Sequence, residues 1–204
     1  GLLMGNMTEN ILEETCLYWL EELGWNTIHG PDIAPETPDA ERDSYSEVIL
    51  KERLRASLSQ INPDVPAVGI DEAVKKLLVT DSPDLLVNNR SFHRLLTDGV
   101  DVEVPSNDEY GGTKHLKVWL VDIDDIENND WLALNQLTVI EKSAAGQSEV
   151  NRRADVVLYL NGLPIAVLEL KNPGDENATI KHAFNQLQTY KKDIPSLFTT
   201  NELL

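Results

Sequence analysis

The alternation of apolar and polar positions divides the chain into a helix-rich front and a strand-rich back. Over 9–23, Leu12, Cys16, Trp19, Leu20 and Leu23 recur at helical spacing, and Gly24 follows as a C-terminal stop. The proline-rich, acidic stretch Gly30–Asp43 reads as a loop. Ser44-Tyr45-Ser46-Glu47 has the form of a capping box, which predicts a helix with Val48, Leu54, Leu58 and Ile61 toward the core. Two shorter helices are expected at 71–79 and 84–96, parted by Asp81-Ser82-Pro83. Past Asp98-Gly99 the period becomes that of strands. Val100–Val104, His115–Ile123 and Leu132–Ile140 fit it, with Gly111-Gly112 as the first turn.

The region from 153 to 192 is patterned most sharply. Asp155 opens an apolar run through Leu160, and Asn161-Gly162 is the preferred dipeptide of a type I′ hairpin turn. Leu163–Lys171 is the expected returning strand, with Pro164 near its start, where a missing N–H is tolerable. Side-chain alternation puts Ile165, Val167, Glu169 and Lys171 on one face, so Glu169 and Lys171 stand ~7 Å apart along the backbone. A tight hairpin brings Asp155 back toward the same end. After a Pro173-Gly174 turn, Asn177–Lys192 reads as a helix with Ile180, Ala183, Phe184 and Leu187 inward. Gln186 and Tyr190 lie one turn apart on a single face of it. The pattern describes an α/β (α+β) chain. Residues 1–98 form a helix-rich N-terminal part and 99–204 a mixed sheet core flanked by helices.

Composition narrows the function. Of 204 residues, 41% are hydrophobic, which suits a packed core and excludes wholesale disorder. No apolar run approaches the ~18 residues of a membrane helix. One cysteine, Cys16, permits no internal disulfide and no Cys cluster for zinc, so a cytoplasmic location is expected. The net charge is −18, and it is unevenly spread: residues 151–204 carry six basic and six acidic side chains. All of the excess lies in residues 1–150, which cannot form the basic stripe of a free-standing nucleic-acid binder. If the chain handles DNA, another part must hold it, unless Arg42, Lys51, Arg53 and Arg55 build a hidden basic groove.

A Glu-x-Lys at a strand end is ordinarily two solvated charges. Here it is joined by an aspartate across a two-residue hairpin, and that combination has chemistry. Two carboxylates from neighbouring strands can hold a hard cation such as Mg²⁺, and the backbone carbonyl of Leu170 can add an oxygen. A lysine beside the ion can orient water and stabilise charge growing on phosphate. Other constellations fail. Asp122, Asp124, Asp125, Glu127 and Asp130 are acidic, but Ile126 and Glu127 stand where a calcium-hand loop needs an oxygen ligand and glycine. The histidines are scattered, and no nucleophile-elbow or phosphate-loop motif occurs; Gly111-Gly112-Thr113-Lys114 lacks the spacing. The tryptophans are expected in the core.

Asp155, Glu169-Leu170-Lys171 and Gln186-Leu187-Gln188-Thr189-Tyr190 together resemble the PD-(D/E)xK nuclease pattern with the Gln-x-x-x-Tyr motif of its RecB-like branch. The wording around them is similar to the N-terminal nuclease domain of type I restriction enzyme R (restriction and motor) subunits. Arg152-Arg153-Ala154-Asp155, Asn161-Gly162-Leu163-Pro164 and Glu169-Leu170-Lys171-Asn172-Pro173 carry that closer likeness, which runs from about Glu47 onward. The position before Asp155 is Ala154, where the named motif usually has proline.

The resemblance implies a restriction-endonuclease-like fold and a Mg²⁺-dependent endonuclease, with Mn²⁺ able to substitute. Asp155, Glu169 and Lys171 would be catalytic, the two carboxylates and the Leu170 carbonyl would hold the metal, and Gln186 and Tyr190 would be supporting or DNA-facing. A helix glutamate often completes such sites; Glu47 is the candidate, with Glu13 and Glu14 behind it. Partners would be duplex DNA and the modification and specificity subunits, with no membrane. ATP would belong to a downstream motor, of which nothing is visible here. Two other readings stay open: another RecB-like repair or recombination nuclease, and a non-catalytic subunit-docking module of the same fold.

Overall fold

A computed structural model describes residues 2–106, 109, 111–143, 146, 148–172, 174 and 179–202, with side chains from residue 9 onward. Helices α1 (Leu2–Glu22), α2 (Lys51–Ile61), α3 (Ala67–Leu78), α4 (Leu85–Asp98) and α5 (Ile180–Asp193) surround strands β1 (Asn26–His29), β2 (Val100–Pro105), β3 (Thr113–Val118), β4 (Trp131–Lys142), β5 (Glu149–Leu160) and β6 (Leu163–Leu168). The main sheet runs β1-β4-β5-β6, with β1 parallel to β4 and the other pairs antiparallel. β2 and β3 form a separate antiparallel pair. A mixed sheet flanked by helices is the α/β restriction-endonuclease-like architecture.

Two apolar clusters hold these layers. One joins Val48 and Leu50 to Leu132, Leu134 and Leu137 of β4, Val157 and Tyr159 of β5, and Tyr190 and Ile194 at the end of α5. The other packs Leu54 and Leu58 of α2 and Ile70, Ala73 and Val74 of α3 against Val100, Val102 and Val104 of β2. The β5–β6 turn sits between them. Asn161 and Gly162 both have positive φ, 53° and 82°, as a type I′ turn requires. Far from being a solvated tip, Asn161 is fully buried, donating through Nδ2 to Leu120 O and Asn129 Oδ1 and accepting from the N–H of Asp130. Gly162 accepts from the N–H of Leu50, and a Cβ there would lie 2.6 Å from Leu50 O.

Several expectations are corrected. Helix α2 starts at Lys51, not at the Ser44–Glu47 box, because Val48 and Leu50 are drawn into the core ahead of the helix. The Glu47 carboxylate instead accepts from the N–H of Asp43 across a turn. The strand expected over His115–Ile123 stops at Val118, since Asn62 takes both backbone groups of Trp119 at 2.8 Å and removes them from any ladder. Strand β6 stops at Leu168, short of Lys171, and β1 was not foreseen. Trp19, Leu23 and Trp119 are exposed rather than buried, while Trp25 and Trp131 meet edge to face. On α5, Ile180 and Phe184 are 90% and 57% exposed, so the inward side is carried by Leu187 and Tyr190. The expected start of that helix at Asn177 and the Pro173 of the turn lie outside the described residues.

Candidate active site

The register of the main sheet sets three polar residues in one row. Asn135 pairs with Val156 and Leu137 with Ala154, so Gln136 of β4 stands opposite Asp155 of β5. Val156 pairs with Leu168, which carries the same row to Glu169, the first residue past β6. The chain leaves the ladder there because Asp155 Oδ2 accepts from the N–H of Leu170 at 2.8 Å. A side chain thus replaces a backbone partner, and the strand ends at the carboxylates.

Glu169 is held tightly. Its side chain is 1% exposed, and its Oε1 lies 2.7 Å from the Lys171 ammonium. Lys171 also donates to Gln186 Oε1 at 2.8 Å, Gln186 donates to the Tyr190 hydroxyl at 2.7 Å, and that hydroxyl donates to Arg153 O at 3.0 Å. Gln186 and Tyr190 therefore tie α5 to the lysine and to β5, and Tyr190 itself is buried. Burial pushes the Glu169 carboxyl above its ordinary range, the Lys171 ammonium pulls it part of the way back, and the charge of Asp155 adds to the rise. Burial likewise pushes the Tyr190 phenol up.

Among the described residues, Glu169 Oε2 is the one buried side-chain oxygen or nitrogen that no donor meets at hydrogen-bond geometry, the Tyr190 hydroxyl being the polar group that interacts with the same carboxylate. A buried anionic oxygen in that condition is costly unless a cation meets it. Asp155, Glu169 and the Leu170 carbonyl are hard oxygen donors of the kind Mg²⁺ prefers. The residues present therefore fit such an ion. No three His, Cys, Asp or Glu side chains among the described residues come close enough to share one metal, so a third acid does not join them directly.

Beside this row lies a cleft of about 230 Å³ lined by Glu9, Glu13, Gln136, Arg153, Asp155 and Leu170, among others. Of the helix acids named above, Glu13 of α1 reaches it. Glu47 does not; it pairs with Lys51 beside a different groove, and Glu14 points to solvent. Gln136 at the cleft and Asn135 beside it escaped notice in the sequence, although they are a polar pair flanked by the apolar Leu134 and Leu137.

The hidden basic groove is absent. Arg42 is buried among backbone carbonyls, Arg53 pairs with Glu41 and Asp130, Arg55 with Asp71 and Glu52, and Arg152 with Asp193. Among the described residues, Arg153, Lys171 and Lys181 are the cations left at the cleft and the first turn of α5 to meet phosphate. Since each phosphate contact contributes roughly 0.9 to the salt slope, the 204-residue chain should bind duplex DNA weakly, with a log–log slope of about 3 or less. A fluorescence titration across salt concentrations checks this; tight binding with a steep slope would show that other cations take part.

Residues 6–204 match the family described as type I restriction enzyme R protein N terminus. The chain belongs to that family. It is 37% identical over 198 residues to the type I restriction enzyme HindI endonuclease subunit of Haemophilus influenzae, covering 97% of this chain and 18% of that protein. It is 34% identical over 194 residues to the putative type I restriction enzyme MjaIXP endonuclease subunit of Methanocaldococcus jannaschii, again spanning 18% of the relative. The chain thus corresponds to under a fifth of the length of those relatives. Among its described residues no helix is long and apolar enough to cross a membrane.

Proposed function

We propose that this chain is the DNA-cutting part of a type I restriction enzyme and that it hydrolyses phosphodiester bonds with Mg²⁺, or Mn²⁺ in its place. The observation that carries the reading is the buried oxygen of Glu169 that no donor meets at hydrogen-bond geometry, in one row with Asp155. Asp155, Glu169 and the Leu170 carbonyl hold the ion. The bound ion supplies Lewis-acid stabilisation of charge growing on the phosphate and eases deprotonation of water. Lys171 brings a fixed ammonium to that charge, positioned by Glu169 and Gln186 rather than left to swing in solvent. Gln186 and Tyr190 act as supports, since their polar atoms are spent on Lys171, on each other and on Arg153 O. ATP hydrolysis and DNA delivery belong to the remainder of the longer subunit, and modification and specificity subunits choose the target. The weak positive surface of this chain fits that division of labour.

Titration calorimetry with Mn²⁺ tests the centre. The wild-type chain should take up the ion, and Glu169→Gln should bind it at least ~10-fold more weakly. Equal heats for the two would remove Glu169 from the site and leave the docking-module reading in its place. The same variant should be the more stable protein without metal, by about 1 kcal/mol at neutral pH. The sign follows from the raised folded-state pKa: ionising Glu169 costs the folded state more than the unfolded one. That penalty is absent below the unfolded carboxyl range near pH ~4, grows as pH rises toward the folded value, and is complete above it. The stability gap between variant and wild type should therefore close on acidification, as thermal melts across pH would show.

A further inference from the structure

The wall of the cleft opposite Asp155 contains a backbone feature that the cleavage chemistry above does not use. Gln136 lies inside β4 with φ at 54°, the left-handed region that glycine enters easily and glutamine rarely. Consecutive strand residues ordinarily point to opposite faces of a sheet. Here both reach one carboxylate: Asn135 Nδ2 donates to Glu13 Oε1 at 2.7 Å, and Gln136 Nε2 donates to Glu13 Oε2. The far end of the Asn135 amide is held as well, with Oδ1 3.0 Å from His29 Nδ1 on β1. Room for the twisted backbone comes from Gly30, where a Cβ would lie 2.5 Å from Asn135 O and 3.1 Å from Gln136 O.

We propose that Asn135 and Gln136 are positioning residues that clamp Glu13 of α1 at the cleft, and that Glu13 acts on the water shell of the ion rather than on the ion itself. The proposal rests on the reading of Asp155 and Glu169 as the metal-holding pair. Its second part follows from the geometry. Glu13 shares the cleft with Asp155, yet no three acids among the described residues stand close enough to bind one metal together. Mg²⁺ keeps several waters when a protein supplies only two carboxylates. A carboxylate fixed one water away orients that shell, which is how outer hydrogen-bond partners tune metal sites. Two amide donors on Glu13 serve this purpose because they stop the side chain from swinging in to take the place of a water. The left-handed turn at Gln136 is the device that aims both amides at once, and Gly30 is what leaves space for it.

The test uses Mn²⁺ affinity of the 204-residue chain, read by calorimetry, alongside cleavage by the assembled enzyme. Gln136→Gly is the main variant, because glycine keeps the left-handed backbone while removing the amide. Gln136→Gly, Asn135→Ala and Glu13→Gln should each lower Mn²⁺ affinity by about tenfold with unchanged melting cooperativity. The double variant Glu13→Gln/Gln136→Gly should be no weaker than Glu13→Gln alone, since a clamp has no effect without its carboxylate. Gly30→Ala, which leaves every side chain of the clamp intact, should reproduce part of the loss. Wild-type affinity in Gln136→Gly and Asn135→Ala, or losses that multiply with Glu13→Gln, would overturn the proposal. Asp155→Asn separates the two levels. If it leaves Mn²⁺ binding unchanged, the underlying site is wrong; if it abolishes binding while the clamp variants are silent, the clamp alone is wrong.

Discussion

Replacing Lys171 with alanine in the complete restriction enzyme is expected to slow DNA cleavage by about 10³-fold or more while ATP hydrolysis continues at the wild-type rate. The size follows from what one preorganised charge at a reacting group supplies in a water-poor site. Lys171 is held in two directions, by Glu169 and by Gln186, so its position does not depend on bound DNA. The sequence alone suggests that the change should not trouble folding, as a strand-end ammonium buries little. The structure adds a cost. Glu169 is nearly fully buried and Lys171 is its ion-pair partner, so alanine strands a carboxylate and should lower stability by about 1–3 kcal/mol. Lys171→Met keeps the apolar stem, and its combination with Glu169→Gln removes both charges together. Cleavage should be lost in all three proteins, but only the single Lys171 variants should melt early. Wild-type cutting by Lys171→Met would take the lysine out of the chemistry.

The largest stability effect is expected far from the cleft, at Arg42. Arg42 is 3% exposed, and its guanidinium donates to three backbone carbonyls, Glu47 O at 2.7 Å, Thr138 O at 2.8 Å and Tyr45 O at 2.8 Å. Burial lowers its pKa from the ordinary value, the mark of a charge bought into the interior for structural reasons. Those bonds fasten the segment before α2 onto β4, where Tyr45 O also accepts from the N–H of Ile140. Arg42→Ala takes the guanidinium away from Glu47 O and Thr138 O, leaves Tyr45 O with the Ile140 N–H alone, and should cost about 3–5 kcal/mol in urea unfolding. Arg42→Lys should recover little, because a single ammonium cannot match the planar fork. A loss under ~1 kcal/mol in Arg42→Ala would mean that water or a rearranged loop satisfies the carbonyls.

The two residues show which parts of the molecule could be read in the sequence. Asp155, the Asn161-Gly162 turn and Glu169-x-Lys171 are close in the chain, so the turn folds them toward one another, while the shift of register at Leu158/Tyr159 that sets Asp155 opposite Glu169 leaves no mark in the sequence. Strand β2 was legible because its apolar positions alternate, as Val100, Val102 and Val104 show, and β5 because an apolar run leads into the Asn161-Gly162 turn. What escaped depends on partners distant in sequence. The start of α2 is decided by Leu50 bonding to Gly162, and the end of β3 by Asn62 bonding to Trp119. Glu47 had a plausible capping role that its real contacts with Asp43 and Lys51 displace. Gln136 was invisible for another reason: nothing in its identity announces a left-handed backbone. The exposed Ile180 and Phe184 show the opposite failure, where helical spacing alone marks an apolar face as inward.

The buried hairpin turn also bears on how the polypeptide ages. An asparagine followed by glycine is the pairing most open to spontaneous loss of the side-chain amide, because the next backbone nitrogen can swing onto the carboxamide carbon. In this fold the Asn161 carboxamide has no such freedom: its nitrogen is tied to Leu120 O and Asn129 Oδ1, its oxygen to the Asp130 N–H, and the adjoining Gly162 is wedged against Leu50 and Leu54. The folded chain therefore shields its own weakest chemical link, and that link is exposed only in molecules that have come apart.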